Sequence, residues 1–298
     1  MPGKASRLQT VSALPQLPAR PLESHKGTYG RVLVVGGSRA MPGSISLTAN
    51  GAYRAGAGLV RILCPASARP VAITLAPCAT SALGDETRTG HFALSARKQL
   101  LEQAAEHDVI AMGPGMGLSP ACAQMVKMAV AQVGKPLVLD ATGLTCLAWL
   151  GSVPKVTGPL VITPHPGEAS HLLEAFELKI ELTGEPESRK AAARALAECL
   201  GCVVVLKGAR TVVTDGRQLY VNSTGNPGLA AGGTGDVLTG VIAALIGQKF
   251  SAFDAAVLGT YLHGMAGDIG AERLGQYSLM ATDLLDLLPE AFQRHGGG

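Results

Sequence analysis

The 298-residue sequence is poor in aromatic and charged side chains, which make up 4% and 16% of its residues. A surface that stacks nucleic-acid bases needs aromatic side chains, and one that follows phosphates needs clustered cations. The formal net charge is only +3, and the basic residues near the N-terminus, such as Lys4 and Arg20, are dispersed. The composition therefore argues against a nucleic-acid partner.

Long apolar runs are also missing. No stretch approaches the roughly 20 apolar residues of a membrane span. The N-terminal segment is interrupted by Pro15, Pro18 and Pro21, so it contains no continuous apolar signal core. We therefore expect a chain that crosses no membrane and works in the cytoplasm.

The six cysteines are scattered, and five of them lie in apolar settings that are typical of free thiols. Cys199 and Cys202 form a CxxC, a spacing also found in redox motifs. This pair spans the end of a predicted helix and the start of a predicted strand, without a second CxxC or a nearby histidine. We therefore predict reduced, structural thiols, as in a cytoplasmic protein.

Two common nucleotide-binding motifs are absent as well. The run VLVVGGS at 32–38 resembles the start of a dinucleotide fingerprint, but no GxGxxG follows this strand. The sequence also contains no GxxxxGK[ST] phosphate loop. These absences disfavour a Rossmann dehydrogenase and exclude a P-loop nucleotidase.

What the sequence does contain is a regular alternation of apolar strands and helices. The runs RVLVVGG at 31–37 and LVRILCP at 59–65 flank a helical pattern at 44–58. Strands that are apolar throughout are typical of a parallel sheet covered on both faces. The predicted organisation is an N-terminal arm at 1–29, one α/β domain at 30–292 and a polar tail at 293–298.

Unusual loops follow several of these strands. In an open parallel sheet, ligands bind outside the carboxyl ends of the strands, so loops far apart in sequence meet along one edge. We expect a site where these loops converge. They are Gly36–Gly37, GPGMG at 113–117, Asp140, TPHPGE at 163–168, LKGART at 206–211 and GGTGD at 232–236.

The GGTGD loop precedes an apolar helix and ends in Asp236. The exposed N–H groups of a helix start, together with the helix dipole, favour a bound anion. We expect this arrangement to keep Asp236 ionised. A carboxylate there either complements the dipole or acts as the base that deprotonates a hydroxyl attacking phosphorus.

Three other loops allow both a structural and a functional interpretation. GPGMG is either a turn that needs positive φ or a close backbone approach to a ligand. His165 and Glu168 either form a helix-starting corner or contact a ligand and a metal-bound phosphate. Lys207 is either a surface lysine or a point charge offered to a phosphate.

The order of these motifs resembles that of the ADP/ATP-dependent NAD(P)H-hydrate dehydratases, members of the ribokinase-like superfamily. The resemblance covers nearly the whole chain, from about Ser24 to the last helix. It rests on SHKGTYGRVLVVGGS, MPGS, AYRAGAGLVRI, AMGPGMG, LVLDATGL, TPHPGEA, VVVLKG and NSTGNPGLAAGGTGDVLTG. It implies a single-domain, three-layer α/β/α sandwich with a mostly parallel central sheet.

The resemblance also implies an activity. Such enzymes phosphorylate the C6 hydroxyl of hydrated NADH or NADPH (the S epimer) with ADP or ATP and Mg²⁺, and loss of phosphate restores the ring. Asp236 would be the base, and Glu168 would lie near Mg²⁺. Nucleotide contacts are implied for Lys207, Gly208, Ala209, Arg210, Thr211, Gly233, Thr234 and Gly235. Contacts to the hydrated cofactor are implied for Gly43, Ser44, Gly115, Gly117, His165 and Asp236.

Partners follow from the same resemblance. Related proteins often carry an epimerase domain, and about thirty residues before the first strand are too few for one. We therefore expect the epimerase on a separate chain, and a homo-oligomer, in particular a tetramer.

Two rival functions stay open at this point. One is a ribokinase-like kinase for a small alcohol such as a vitamin precursor, which would use the same base but release a phosphorylated product. The other is a non-catalytic nucleotide sensor, which would have no need of Asp236.

Overall fold

The computed structural model describes residues 8–296, which form ten strands and ten α-helices in one α/β domain. The predicted arm extends into residues 1–7, which lie outside the described part. The strands are β1 (Gln9–Thr10), β2 (Arg31–Val35), β3 (Leu59–Pro65), β4 (Thr80–Gly84), β5 (Val109–Met112), β6 (Leu137–Leu139), β7 (Leu160–Ile162), β8 (Val203–Leu206), β9 (Val212–Thr214) and β10 (Gln218–Val221).

The helices connect these strands and continue after the last of them. They are α1 (Ser44–Arg54), α2 (Arg69–Leu75), α3 (Ala96–Ala105), α4 (Pro120–Gln132), α5 (Thr142–Trp149), α6 (Pro166–Ala175), α7 (Pro186–Leu200), α8 (Thr234–Gly247), α9 (Ala252–Leu274) and α10 (Ala281–Gly296). Within residues 8–296, no helix has the length and apolar character needed to cross a bilayer.

The strands form one sheet in the order β1-β10-β9-β8-β7-β6-β5-β2-β3-β4. Strands β2 to β8 pair in parallel with their neighbours among themselves, whereas β9 is antiparallel to both β8 and β10. The predicted mostly parallel sheet is therefore confirmed.

Both faces of the sheet are covered, as the apolar strands predict. Along β2, Val32 and Val34 join the core on one face, whereas Leu33 and Val35 join the core on the other. Helices α1, α2 and α8 to α10 pack on the first face, and α3 to α7 pack on the second. The result is the three-layer α/β/α sandwich, which confirms the predicted fold class.

Described residues of the predicted arm and tail contact the domain. Residues Gln9 and Thr10 form the edge strand β1, which pairs in parallel with Gln218 and Leu219 of β10. At the other end, α10 continues to Gly296, and the His295 ring Nε2 lies 2.9 Å from the Pro15 carbonyl oxygen. Tertiary contacts thus tie these described residues to the domain, although their local sequences are proline-rich and polar. Residues 297–298 of the predicted tail lie outside the described part.

Candidate active site

The carboxyl ends of β6, β7 and β8 open into a cavity of about 880 Å³. The start of α8 and the middle of α9 close its other side. This is the sheet edge where the sequence predicts that the loops converge. Its wall includes Asp140, His165, Glu168, Lys207 to Thr211, Asn222 to Pro227, Gly233 to Asp236, Thr260 and His263.

The first turn of α8 is held rigidly at the cavity wall. Gly233 precedes the helix with φ +90°, and the Thr234 hydroxyl lies within hydrogen-bonding distance of the Leu229 and Ala231 carbonyls, at 2.9 and 3.0 Å. The His263 Nε2 lies 2.9 Å from the Thr234 carbonyl oxygen and donates to it, since a carbonyl only accepts. Burial lowers the pKa of His263 to about 4, so this ring is neutral.

A buried ion pair lies beside this turn. The Lys207 ammonium donates to Asp140 Oδ1 at 2.8 Å, and the Thr239 hydroxyl donates to Asp140 Oδ2 at 2.8 Å. Asp140 is 1% exposed. Burial alone would raise the pKa of Asp140, but the charge and hydrogen bond of Lys207, with hydroxyl bonds from Thr163 and Thr239, lower it.

This ion pair changes the expectation for Lys207. The sequence leaves open a surface lysine or a point charge offered to a phosphate. In the structure the ammonium is bonded to Asp140 and lies 4.0 Å from Glu168 Oε2. Burial would lower the pKa of Lys207, but the charges of Asp140 and Glu168 outweigh it and raise the pKa. Lys207 therefore stays cationic and is fixed in place by its partners.

The protonation of Asp236 also differs from the expectation. Burial and the negative charge of Asp140 raise the pKa of Asp236 from its usual 3.8 to about 7, although a hydrogen bond with Ser44 and the charge of Lys207 oppose them. The helix start therefore does not keep this carboxyl fully ionised at neutral pH. A pKa close to the working pH is what a general base requires.

His165 and Glu168 form a reciprocal cap at the start of α6. The Gly167 and Glu168 amides donate to His165 Nδ1 at 3.1 and 3.3 Å, and the His165 amide donates to Glu168 Oε2 at 2.8 Å. Burial and the charge of Lys207 lower the pKa of His165, and burial raises that of Glu168 to about 7. Both residues line the cavity, so capping and ligand contact are compatible.

The donor set suits a magnesium ion carried on phosphates. Residues 8–296 contain no group of three His, Cys, Asp or Glu side chains placed to hold a metal by themselves. Mg²⁺ is usually bound by one or two carboxylates plus the phosphates of a nucleotide. The carboxylate of Glu168 on the cavity wall fits that role.

The remaining predicted substrate residues, Gly43, Ser44, Gly115 and Gly117, are not among the described residues that line the cavity. A Cβ on Gly115 would lie 2.5 Å from the Met41 carbonyl oxygen and 3.0 Å from Ser44 Cβ. Ser44 in turn hydrogen-bonds to Asp236, so these residues adjoin that carboxyl. Gly43 precedes Ser44 at the start of α1.

Gly117 lies at the far end of the same loop. A Cβ there would lie 2.2 Å from the ring of His91. The structure thus brings Ser44 and Gly115 to Asp236, whereas Gly117 contacts a different side chain.

Sequence reasoning missed several residues that build the site. Asp140 is recognisable in the sequence as a carboxylate directly after a strand. The sequence analysis includes it among the loops at the sheet edge but assigns it no role. Thr239 and His263 project from helix interiors, where nothing in the local sequence separates them from core residues. The CxxC pair has no part in the cavity wall: burial raises the pKa of the Cys202 thiol well above its usual value, so it is unreactive.

The sequence is similar to those of known proteins over most of the chain. A sequence model described as NAD(P)H-hydrate dehydratase matches residues 32–290. The chain is 47% identical over 280 residues to the bifunctional NAD(P)H-hydrate repair enzyme Nnr of Moorella thermoacetica, covering 92% of this chain and 51% of that protein. The chain thus spans about half the length of the curated relatives it matches.

Solved structures agree with the sequence comparison. A ribokinase-like superfamily protein from Enterococcus faecalis superposes with a TM-score of 0.79 at 26% identity, covering 98% of this chain and 97% of that chain. An ADP/ATP-dependent NAD(P)H-hydrate dehydratase from Bacillus subtilis, co-crystallised with ATP and Mg²⁺, superposes with a TM-score of 0.75 at 31% identity, covering 94% and 95%.

Proposed function

This chain belongs to the NAD(P)H-hydrate dehydratase family, and from that premise we propose that it returns hydrated NADH and NADPH to their reduced forms at the expense of ADP or ATP. The substrate is the S epimer of the hydrate, and the reaction repairs a damaged cofactor. The names of the Moorella and Bacillus proteins support the proposal, since one is a hydrate repair enzyme and the other an ADP/ATP-dependent dehydratase.

One observation carries the proposal: a carboxyl whose pKa is about 7 lies in the first turn of α8, on the wall of a cavity that also holds the Lys207 ammonium. A general base and an anion site are what transfer of a phosphoryl group to a hydroxyl requires. Hydroxide is a poor leaving group, and phosphorylation converts it into a good one.

The first step is phosphoryl transfer. Asp236 accepts the proton of the C6 hydroxyl while the hydroxyl oxygen bonds to the terminal phosphorus of the nucleotide. The bond from that phosphorus to the leaving nucleotide oxygen breaks, which releases AMP from ADP or ADP from ATP. The Gly233 and Gly235 amides and Lys207 stabilise the charge on the transferred group.

The second step is elimination. The C6–O bond breaks with its electron pair going to phosphate, assisted by the ring nitrogen. C5 loses a proton to the departing phosphate, and the C5=C6 double bond forms. The products are NADH or NADPH, phosphate and the shortened nucleotide.

The binding roles that we propose are those that the family resemblance implies. We assign the nucleotide to Lys207, Gly208, Ala209, Arg210, Thr211, Gly233, Thr234 and Gly235, and the hydrated cofactor to Gly43, Ser44, Gly115, Gly117, His165 and Asp236. Glu168 would hold Mg²⁺ through the nucleotide phosphates. When bound, the ion supplies positive charge that offsets the phosphate oxygens.

The decisive experiment supplies purified protein with NADH hydrate and follows the near-ultraviolet absorbance of the reduced nicotinamide ring. We expect absorbance to return only with Mg²⁺ and ADP or ATP, with one phosphate released per ring restored. No recovery with either nucleotide would rule out the dehydratase. The same assay run with each nucleotide separately determines which donor is preferred.

The two rival functions give different outcomes in that assay. A small-alcohol kinase leaves the hydrate unchanged and forms a stable phosphorylated alcohol, which mass spectrometry detects. A nucleotide sensor binds ADP or ATP without releasing phosphate. The raised pKa of Asp236 favours a catalytic site over a sensor, because a buried ionisable carboxyl is costly unless it has a use.

The cellular setting completes the proposal. We place the protein in the cytoplasm, working as a homo-oligomer, in particular a tetramer. An epimerase would supply the S epimer. Light scattering coupled to size-exclusion chromatography measures the oligomeric state, and adding an epimerase to a mixture of both hydrate epimers should raise the recovered NADH.

A further inference from the structure

Arg189, near the start of α7, contacts the loop that joins β8 to β9. The loop comprises residues 207–211, between the paired residues Leu206 and Val212. The Arg189 Nη2 lies 3.3 Å from the Leu206 carbonyl oxygen and 3.2 Å from that of Lys207, and Nη1 donates to the Ala209 carbonyl. One guanidinium therefore donates to three carbonyls of one short loop.

The Thr211 hydroxyl donates to the Gly208 carbonyl at 3.0 Å, so side chains hold four successive carbonyls from Leu206 to Ala209. The loop backbone needs such support. Gly208 has φ +132°, and Arg210 has φ +53°, a conformation that costs a non-glycine residue about 1 kcal/mol or more. Arg189 also favours glycine at position 208 for a steric reason, because a Cβ there would lie only 3.0 Å from the Arg189 Nη2.

The direction of these bonds matters for an anion. Residues 207–211 line the cavity, whereas Arg189 is not part of its described wall. Carbonyl oxygens that point to Arg189 point away from the place where a phosphate would bind. Without the guanidinium, the loop could turn its oxygens toward the cavity, where they would repel phosphate oxygens.

We propose that Arg189 is a positioning residue for the nucleotide: it holds the Lys207 and Ala209 carbonyl oxygens of the 207–211 loop away from the cavity, so that the loop can receive phosphates. The proposal rests on the proposed nucleotide-dependent function. Arg189 acts through the loop and does not itself touch the ligand. The Arg189 Nε is buried without a hydrogen-bond partner among the described residues. Arg189 therefore holds the loop through its two terminal nitrogens alone.

The test measures binding of ADP and ATP, each with Mg²⁺, by isothermal titration calorimetry, together with KM and kcat for each substrate. In Arg189→Met, the hydrophobic stem stays and the donors are lost. We expect the nucleotide Kd and KM to rise about tenfold to a hundredfold. The kcat at saturating nucleotide and the KM for the hydrate should change by less than about threefold.

Two further variants separate loop geometry from charge and from folding. Arg189→Lys keeps the charge but lacks the planar fork, and its nucleotide Kd should stay about threefold or more above that of wild type. Lys190→Met removes the neighbouring cation, which pairs with Glu187 at 2.7 Å on the surface, and should bind nucleotide like wild type. Thermal unfolding without ligand checks that each variant is folded.

The outcomes distinguish this inference from the proposed function. If wild-type protein binds neither nucleotide, both are overturned. If wild type binds and Arg189→Met binds equally well, only the role of Arg189 is overturned. A Kd in Arg189→Lys equal to wild type, or an equal weakening of nucleotide and hydrate in Arg189→Met, would likewise contradict positioning of the loop.

Discussion

The two glycine-rich loops at the carboxyl edge of the sheet, GPGMG at 113–117 and GGTGD at 232–236, look alike in sequence but place their glycines against different neighbours. In the first loop, a Cβ on Gly113 would lie 2.0 Å from the Asp140 carbonyl oxygen, and one on Gly115 would lie 2.5 Å from that of Met41. These glycines have φ +121° and +63°. The protein's own backbone thus occupies the space that a side chain would need.

In the second loop, Gly235 faces charged side chains of the cavity wall. It has an ordinary helical backbone, and a Cβ there would lie 3.1 Å from the Lys207 ammonium and 3.6 Å from Asp140 Oδ2. Gly233 resembles the first loop more closely, with φ +90° and the Leu47 side chain 2.6 Å from a Cβ position. A glycine is therefore evidence of a ligand site only when the space beside it belongs to the cavity.

The largest expected effect concerns Asp236, the carboxylate that the GGTGD loop has and the GPGMG loop lacks. Asp236→Asn should lower turnover by about three orders of magnitude, because the amide cannot accept the hydroxyl proton. Nucleotide Kd should stay close to wild type, since the helix start and Lys207 remain. Stopped assays of NADH recovery and calorimetry measure the two quantities, and a near-normal rate would remove Asp236 from the base role.

A matched pair of alanine substitutions tests the comparison directly. Gly235→Ala should lower kcat/KM about tenfold to a hundredfold by filling space beside Lys207, while stability holds or rises, since alanine is about 1 kcal/mol better in a helix. Gly115→Ala should lower the free energy of unfolding by about 1–3 kcal/mol, because of its positive φ and the Met41 contact. Urea unfolding of both variants measures these stability changes. A destabilised Gly235→Ala would contradict the distinction between a glycine beside the cavity and a glycine packed against backbone.

A smaller effect appears as a dependence of stability on pH. The folded-state pKa of Asp236, about 7, lies above its unfolded value of 3.8, so this carboxyl stabilises the fold at low pH and the contribution is lost as pH rises through about 7. Asp236→Asn should therefore be more stable than wild type by about 1–3 kcal/mol at a pH of about 8, and by less at about 5.

The same window governs the reaction, because Asp236 must be ionised to accept a proton. The rate should rise as pH approaches about 7, where the fold loses stability. The stability gain of Asp236→Asn should therefore be larger at a pH of about 8 than at about 5. Urea unfolding at the two pH values tests this, and a stability gain of Asp236→Asn that does not grow with pH would contradict the assigned shift.

The sequence predicted the sheet better than the chemistry at its edge. The apolar runs of β2, β3 and β5 to β8 identify buried parallel strands, because only a sheet covered on both faces buries every side chain of a strand. No pattern was assigned to residues 66–106, where α2, β4 and α3 lie. There β4 is an edge strand with half-exposed side chains, so it lacks the continuous apolar run that marks the others.

Sequence alone determined the parallel sheet covered on both faces, the edge where its loops meet and the carboxylate at the start of α8. Periodicity and glycine-marked turns are local properties of the chain, so they can be read without the fold. Tertiary structure decided that Lys207 is bound to Asp140, 67 residues away, and that Asp140 also holds Thr239, 99 residues away. Tertiary structure likewise decided the pKa of Asp236. Burial and the neighbouring charge of Asp140 exist only in the folded protein and are not encoded in the GGTGD motif.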